Sequence, residues 1–144
     1  MIRVVLDTNI LISALLSAKG APAEILRLER KGEIELVFAP ETVDEHWRVF
    51  HYSKIEERFK KLKVPLETVE QFIMSLVKAS VLVPGKFKVD AIKSDPSDNI
   101  FLACAIEGQA DFIISGDHHL LELGIFQEIE IVDPATFLEI YKKQ

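Results

Sequence analysis

A chain of 144 residues fits one folded domain, and 49% hydrophobic residues with a mean hydropathy of +0.18 exclude an intrinsically disordered segment. No apolar run approaches the roughly 18–20 residues of a membrane helix, and a single cysteine, Cys104, excludes an internal disulfide, so a reduced, cytoplasmic setting is expected. The net charge of −6 excludes a generic nucleic-acid-coating protein, which is basic, but not an enzyme whose own acidic centre binds cations.

In chain order, residues 2–6 (IRVVL) form a short continuous apolar run, the pattern of a strand buried on both faces of a parallel sheet. The stretch MIRVVLDTN reads as neither a signal-peptide apolar region nor a cleavage site. A helix is expected over Asn9–Ala18 after a very tight turn. Gly20 and Pro22 punctuate, and a second helix runs from Pro22 to Lys31, stopped by Gly32. Ile34–Ala39 reads as the second strand. Pro40 opens a helix through His51, Ser53–Glu56 has the form of a capping box starting another, and Leu66–Ser80 carries Val69, Phe72, Ile73, Leu76 and Val77 at helical spacing. Val81–Val83 is a third strand closed by Pro84–Gly85. After a polar loop over residues 86–97 come a helix over Pro96–Gln109, a fourth strand over Phe112–Ser115, a short helix over His118–Leu123, a fifth strand over Ile129–Val132 and a terminal helix from Pro134. Strands alternating with helices predict an α/β domain, residues 1–144, around a mainly parallel five-stranded sheet, with a larger helical insertion between strands two and three.

In an open parallel sheet, ligands bind beyond the carboxyl ends of the strands, near the point where strand order reverses. Four acids fall where such a site forms: Asp7 directly after strand one, Glu45 on the helix after strand two, Asp98 in the first turn of the helix after the polar loop, and Asp117 after strand four. Carboxylates converging at one edge repel one another unless a cation joins them. Hard divalent ions such as Mg2+ and Mn2+ prefer oxygen ligands, lower the pKa of water and stabilise charge on a phosphodiester. Local readings compete at each position. Asp7 can end its strand in a turn, Glu45 can close a capping box with Thr42, Asp98 can be a first-turn acid behind an Asp95 cap, and Asp117 can cap the short helix.

Taken together these segments resemble a known family. LDTNILISALL (residues 6–16) is similar to the opening motif of PIN domains, and SDPSDNIFLACAIEGQADFIISGDHHLL (94–121) to the family's second half. PETVDEHWRVF (40–50) matches the helix that bears the family's middle acid, and the nearest likeness is to the toxin-like, VapC-type members of bacteria and archaea. The resemblance implies a three-layer α/β/α domain and Mg2+- or Mn2+-dependent cleavage of RNA, with Asp7, Glu45, Asp98 and Asp117 as metal-site acids. It makes Thr8 or Ser115 the hydroxyl that supports carboxylates or substrate, and Asn9 the polar group of the first helical turn. It further implies a small antitoxin partner and a homodimer. Two positions depart from the pattern: His119 stands where toxin-like members often carry a further acid, and His46 where a Leu usually follows the helix acid.

Lys86, Lys88 and Lys93 line the loop before the third acid, and Lys54, Arg58, Lys60, Lys61 and Lys63 cluster in the insertion. Each group reads either as a solvated face or as a contact for RNA phosphates. The histidines read as bystanders: His46 and His51 are five apart, and His118 and His119, adjacent on a helix, are expected to point apart. Two other functions compete, one of them sharing the strand-one acid. An aspartyl-nucleophile phosphohydrolase wants a second Asp two residues on, where Asn9 stands, and a non-cleaving RNA- or protein-binding module needs none of the four acids.

Overall fold

The continuous apolar runs divide by the period of two that a strand imposes. Val4 and Leu6, Leu36 and Phe38, and Phe112 and Ile114 enter one core, while Val5, Val37 and Ile113 enter another on the opposite face. A sheet buried on both faces is the result, and the computed structural model, which describes residues 1–92 and 96–144, shows it sandwiched between two helical layers. The strands are β1 (Ile2–Leu6), β2 (Ile34–Phe38), β3 (Val81–Leu82), β4 (Phe112–Ile114), β5 (Ile125–Phe126) and β6 (Ile129–Val132), in the order β3-β2-β1-β4-β6-β5. All pairings are parallel except the antiparallel β5–β6 edge.

The sheet therefore has six strands rather than five. β5 and β6 form a hairpin whose two-residue turn, Gln127–Glu128, has φ of 48° and 72°. Positive φ at both central residues is the type I′ arrangement that matches strand twist, normally signalled by Asn-Gly or Asp-Gly. Here neither residue carries that signal, and a two-residue strand is too short to show alternation.

The helices are α1 (Thr8–Leu16), α2 (Ala21–Arg30), α3 (Pro40–Phe50), α4 (Ser53–Lys61), α5 (Leu66–Ala79), α6 (Asn99–Glu107), α7 (His118–Leu123) and α8 (Pro134–Lys142), with one 3₁₀ turn at Pro96–Asp98 before α6. Side chains of α1, α2, α3, α4, α5 and α8 build the first core; α6 and α7 build the second. α1 starts earlier than its apolar run suggested, because Asp7 caps it by accepting a hydrogen bond from the Ile10 N–H at 3.1 Å, and it ends earlier, where Ser17 turns extended. Ser53 is the first residue of α4, behind an N-cap at Tyr52 that makes no side-chain bond, so the expected capping box is not formed. Among the described residues, no helix is long and apolar enough to cross a membrane.

Gly108 caps the end of α6 against Val37 of β2. A Cβ there would lie 2.3 Å from Cγ1 of Val37, itself buried in the second core. Gly108→Ala therefore overpacks a site that cannot yield, a change that costs about 1–3 kcal/mol. Thermal unfolding should show a midpoint several degrees lower, at roughly 2–4 °C per kcal/mol. An unchanged midpoint would mean that α6 and β2 separate freely.

Candidate metal centre

Strand order reverses between β1 and β4, and the first residue past each strand is polar. The Asp7 N–H donates to the Ile114 carbonyl at 3.1 Å and the Ser115 N–H to the Val132 carbonyl at 3.0 Å, so the sheet ladder continues into the residues that leave it. The buried Ser115 hydroxyl then donates to Oδ2 of Asp7 and accepts the Asp117 N–H at 2.9 Å. One hydroxyl thus fixes the carboxylate at the end of β1 and the backbone of the acid that follows β4.

Asp7 is only 5% exposed. Burial pushes its carboxyl above the usual carboxylate range; hydrogen bonds from Ser115 and the Ile10 N–H pull it back, and the neighbouring charge of Asp117 adds to the rise. Asp98 is also buried, at the end of the 3₁₀ turn. Its carboxyl hydrogen-bonds to Asp117 and holds that group below the usual range against the cost of its own partial burial. Asp117 caps α7, although its bond from the His119 N–H is long, at 3.4 Å. Glu45 stands in the second turn of α3, its carboxylate taken by Arg48 one turn on. The capping bond of α3 belongs instead to Thr42, whose hydroxyl accepts from the Ala39 N–H at 3.0 Å, so the capping-box reading of Glu45 is overturned.

Asp7, Glu45, Asp98 and Asp117 together line one cleft of about 580 Å³, with Thr8, Asn9, Ser97 and Gly116 among its other walls. A larger hollow of about 840 Å³ lies at the opposite end of the sheet, against Glu33, Asp111, Glu128 and Glu130. There Asp111 accepts the Arg3 N–H at 2.9 Å, which ties β1 to the start of β4. Parallel sheets offer loops and helix N-termini at the carboxyl ends of their strands, so the smaller cleft is the one equipped for chemistry. Its acids offer oxygen donors, and the charge of Asp117 acts on Asp7 as the carboxyl of Asp98 acts on Asp117. That combination fits a hard divalent cation, held by Asp7, Asp98 and Asp117, with Glu45 joining them once it leaves Arg48.

The other expected site residues divide between the cleft and its surroundings. The Thr8 hydroxyl meets Nδ1 of His46 at 2.7 Å rather than a carboxylate. Asn9 is exposed on the cleft wall. Lys88 forms an ion pair with Glu41 on the first turn of α3, and Lys86 donates its backbone N–H to Glu107; neither lines the cleft. Lys93, and the Asp95 cap weighed for α6, lie outside the described residues.

Sequence reasoning missed three supports. His46 fills the helix stripe Thr42–His46–Phe50, buried edge-on to Phe38 and against Phe101, and burial lowers its pKa to about 3, so the ring is neutral. The departure from Leu at this position was its only signal. Asn99 accepts the Ala91 and Ile92 N–H groups through Oδ1 and donates to the Ile92 carbonyl, pinning the polar loop to α6 beside Asp98. Arg48 was legible from its i,i+3 spacing to Glu45. Cys104, by contrast, is buried with its thiol pushed up to about 12, an inert packing group.

Comparison with known proteins agrees with this architecture. The profile of the family described as PIN domain matches residues 3–119. The chain is also similar to an uncharacterized protein, MJ1680, of Methanocaldococcus jannaschii, at 25% identity over 150 residues, covering 99% of this chain and 93% of that protein.

Proposed function

The chain belongs to the PIN-domain family, whose members are generally nucleases that use divalent metals, and from that premise we propose that it is a Mg2+- or Mn2+-dependent endoribonuclease. The observation that supports this reading best is the single cleft that gathers Asp7, Glu45, Asp98 and Asp117 beyond β1 and β4. Asp7 and Asp98 hold the principal ion, and Glu45 and Asp117 complete the site. When bound, the cation lowers the pKa of water and stabilises charge on the phosphodiester.

The chain's own residues set up that chemistry. Ser115 orients Asp7 and, through the Asp117 amide, the start of α7. The Ile10 N–H fixes the second oxygen of Asp7. Gly116 and Asn9 leave one wall of the cleft polar and without bulk, open to a single strand of RNA. Arg48 pairs with Glu45 and offsets its charge. The likeness to toxin-like members extends the reading to a small antitoxin protein that covers the acidic edge, and to a homodimer.

Purified protein should cleave RNA with Mn2+ or Mg2+, leave 3′-hydroxyl and 5′-phosphate ends, and stop on addition of EDTA. Asp98→Asn should remove the activity without removing the fold. Tight RNA binding with no cleavage under any divalent ion would replace this reading with that of a binding module. Cleavage that survives both EDTA and Asp98→Asn would place the chemistry elsewhere.

A further inference from the structure

The pair His118–His119 does not splay as adjacent helical residues were expected to. Both belong to the first turn of α7, where side chains lean back towards the helix start and so towards Asp117. The two rings lie 4.1 Å apart between centroids, and each presents Nδ1 at 3.8 Å from the same oxygen, Oδ1 of Asp117. One ligand atom from each of the three residues falls within 4.8 Å of the others.

The other histidines are committed. His46 is sealed between aromatic rings and bonded to Thr8, and His51 uses Nδ1 on the Trp47 carbonyl and Nε2 on Glu70. His119 is different: its Nδ1 is buried and makes no hydrogen bond, although a carboxylate stands nearby. Separations of 3.8 Å are too long for a hydrogen bond. They are shorter than the roughly 4.2 Å between two ligands on opposite sides of an ion with bonds of about 2.1 Å.

We infer that Asp117, His118 and His119 form a second, nitrogen-bearing metal site at the rim of the cleft, selective for a d-block divalent ion such as Zn2+ over Mg2+. Imidazole nitrogen suits zinc and its neighbours, whereas Mg2+ favours oxygen and keeps its water. The His118 side chain is 74% exposed, so the position opens to solvent on that side and leaves a coordination place for water or a phosphate oxygen, while the buried Nδ1 of His119 closes the other. Asp117 belongs to both sites. An ion on the imidazoles either bridges to the acid cluster or draws one carboxylate oxygen away from it.

The test uses full-length protein without an oligohistidine tag, stripped by chelator, with no RNA present. Zn2+ and Mg2+ are titrated calorimetrically, and Co2+ is used as a spectroscopic stand-in whose absorption reports nitrogen ligation. The double variant His118→Gln, His119→Gln should lose at least the 10–100-fold in Zn2+ affinity that even an outer-shell partner is worth, with Mg2+ binding unchanged. Asp7→Asn should keep the Zn2+ site while weakening Mg2+. Zn2+ affinity untouched by the double variant, or lost equally in Asp7→Asn, overturns the inference. The ribonuclease reading is unaffected by either result, because no substrate enters the measurement.

Discussion

Asp7→Asn is expected to lower metal-dependent cleavage by at least about 100-fold, the scale on which loss of a single charge-stabilising group acts in an enzyme site. The same substitution should raise the midpoint of thermal unfolding at pH 7 in chelator. The carboxylate is buried and carries a raised pKa, so its ionised form is held there against desolvation and against Asp117. Asparagine has the same shape: its Oδ1 still accepts from the Ile10 N–H, and its Nδ2 stands where Oδ2 accepted from Ser115 and donates to that hydroxyl instead. A gain in stability coupled to a loss of activity marks a group kept for chemistry rather than for folding. If the variant instead melts several degrees lower, the carboxylate serves the fold and its loss of activity says nothing about catalysis.

The second large effect concerns acid. His46 has a folded pKa of about 3, below its unfolded value of 6.5, because burial disfavours the charged ring. A depressed folded pKa means that the unfolded chain binds the proton first. The stability this neutral histidine contributes is therefore complete above pH 6.5 and is lost as pH falls from 6.5 towards 3. Between pH 7 and pH 5 the loss amounts to about 2 kcal/mol. Denaturant midpoints of wild type and His46→Leu, measured at both pH values, isolate the effect, since other titrating groups are common to both proteins. The wild type should lose about 2 kcal/mol more than the variant. Equal losses would show that the ring is reached by water or by a counter-charge.

Much of the architecture was legible because strand burial and strand period agree. VVL, LVF and FII each split into two cores, and each is followed within a few residues by the polar groups that form the cleft. The positions of Asp7, Glu45, Asp98 and Asp117 could be assigned to one edge from element order alone. What could not be read was which hydroxyl serves which carboxylate. Thr8 and Ser115 look equivalent in sequence, but only the Ser115 hydroxyl faces Asp7, while Thr8 turns into the helix interface to satisfy a buried imidazole. The β5–β6 hairpin escaped for a local reason, a turn with positive φ made by Gln127 and Glu128. The orientation of His118 and His119 escaped because spacing rules describe helix interiors, whereas a first turn is bent towards its capping residue.

The bond between Ser115 and Asp7 spans 108 positions of sequence, and Asp117 is reached still later in a chain of 144. Strand β1 waits at the centre of the sheet for β4, with α1, α2, β2, the whole α3–α5 insertion, β3 and α6 made in between. Contacts so distant form slowly and only after the intervening segments are in place. During synthesis, which delivers the N-terminus first, the four acids stay dispersed until most of the chain exists. A nascent or partly folded molecule therefore has no assembled acidic cleft, and the proposed nuclease activity would arrive only together with the completed sheet.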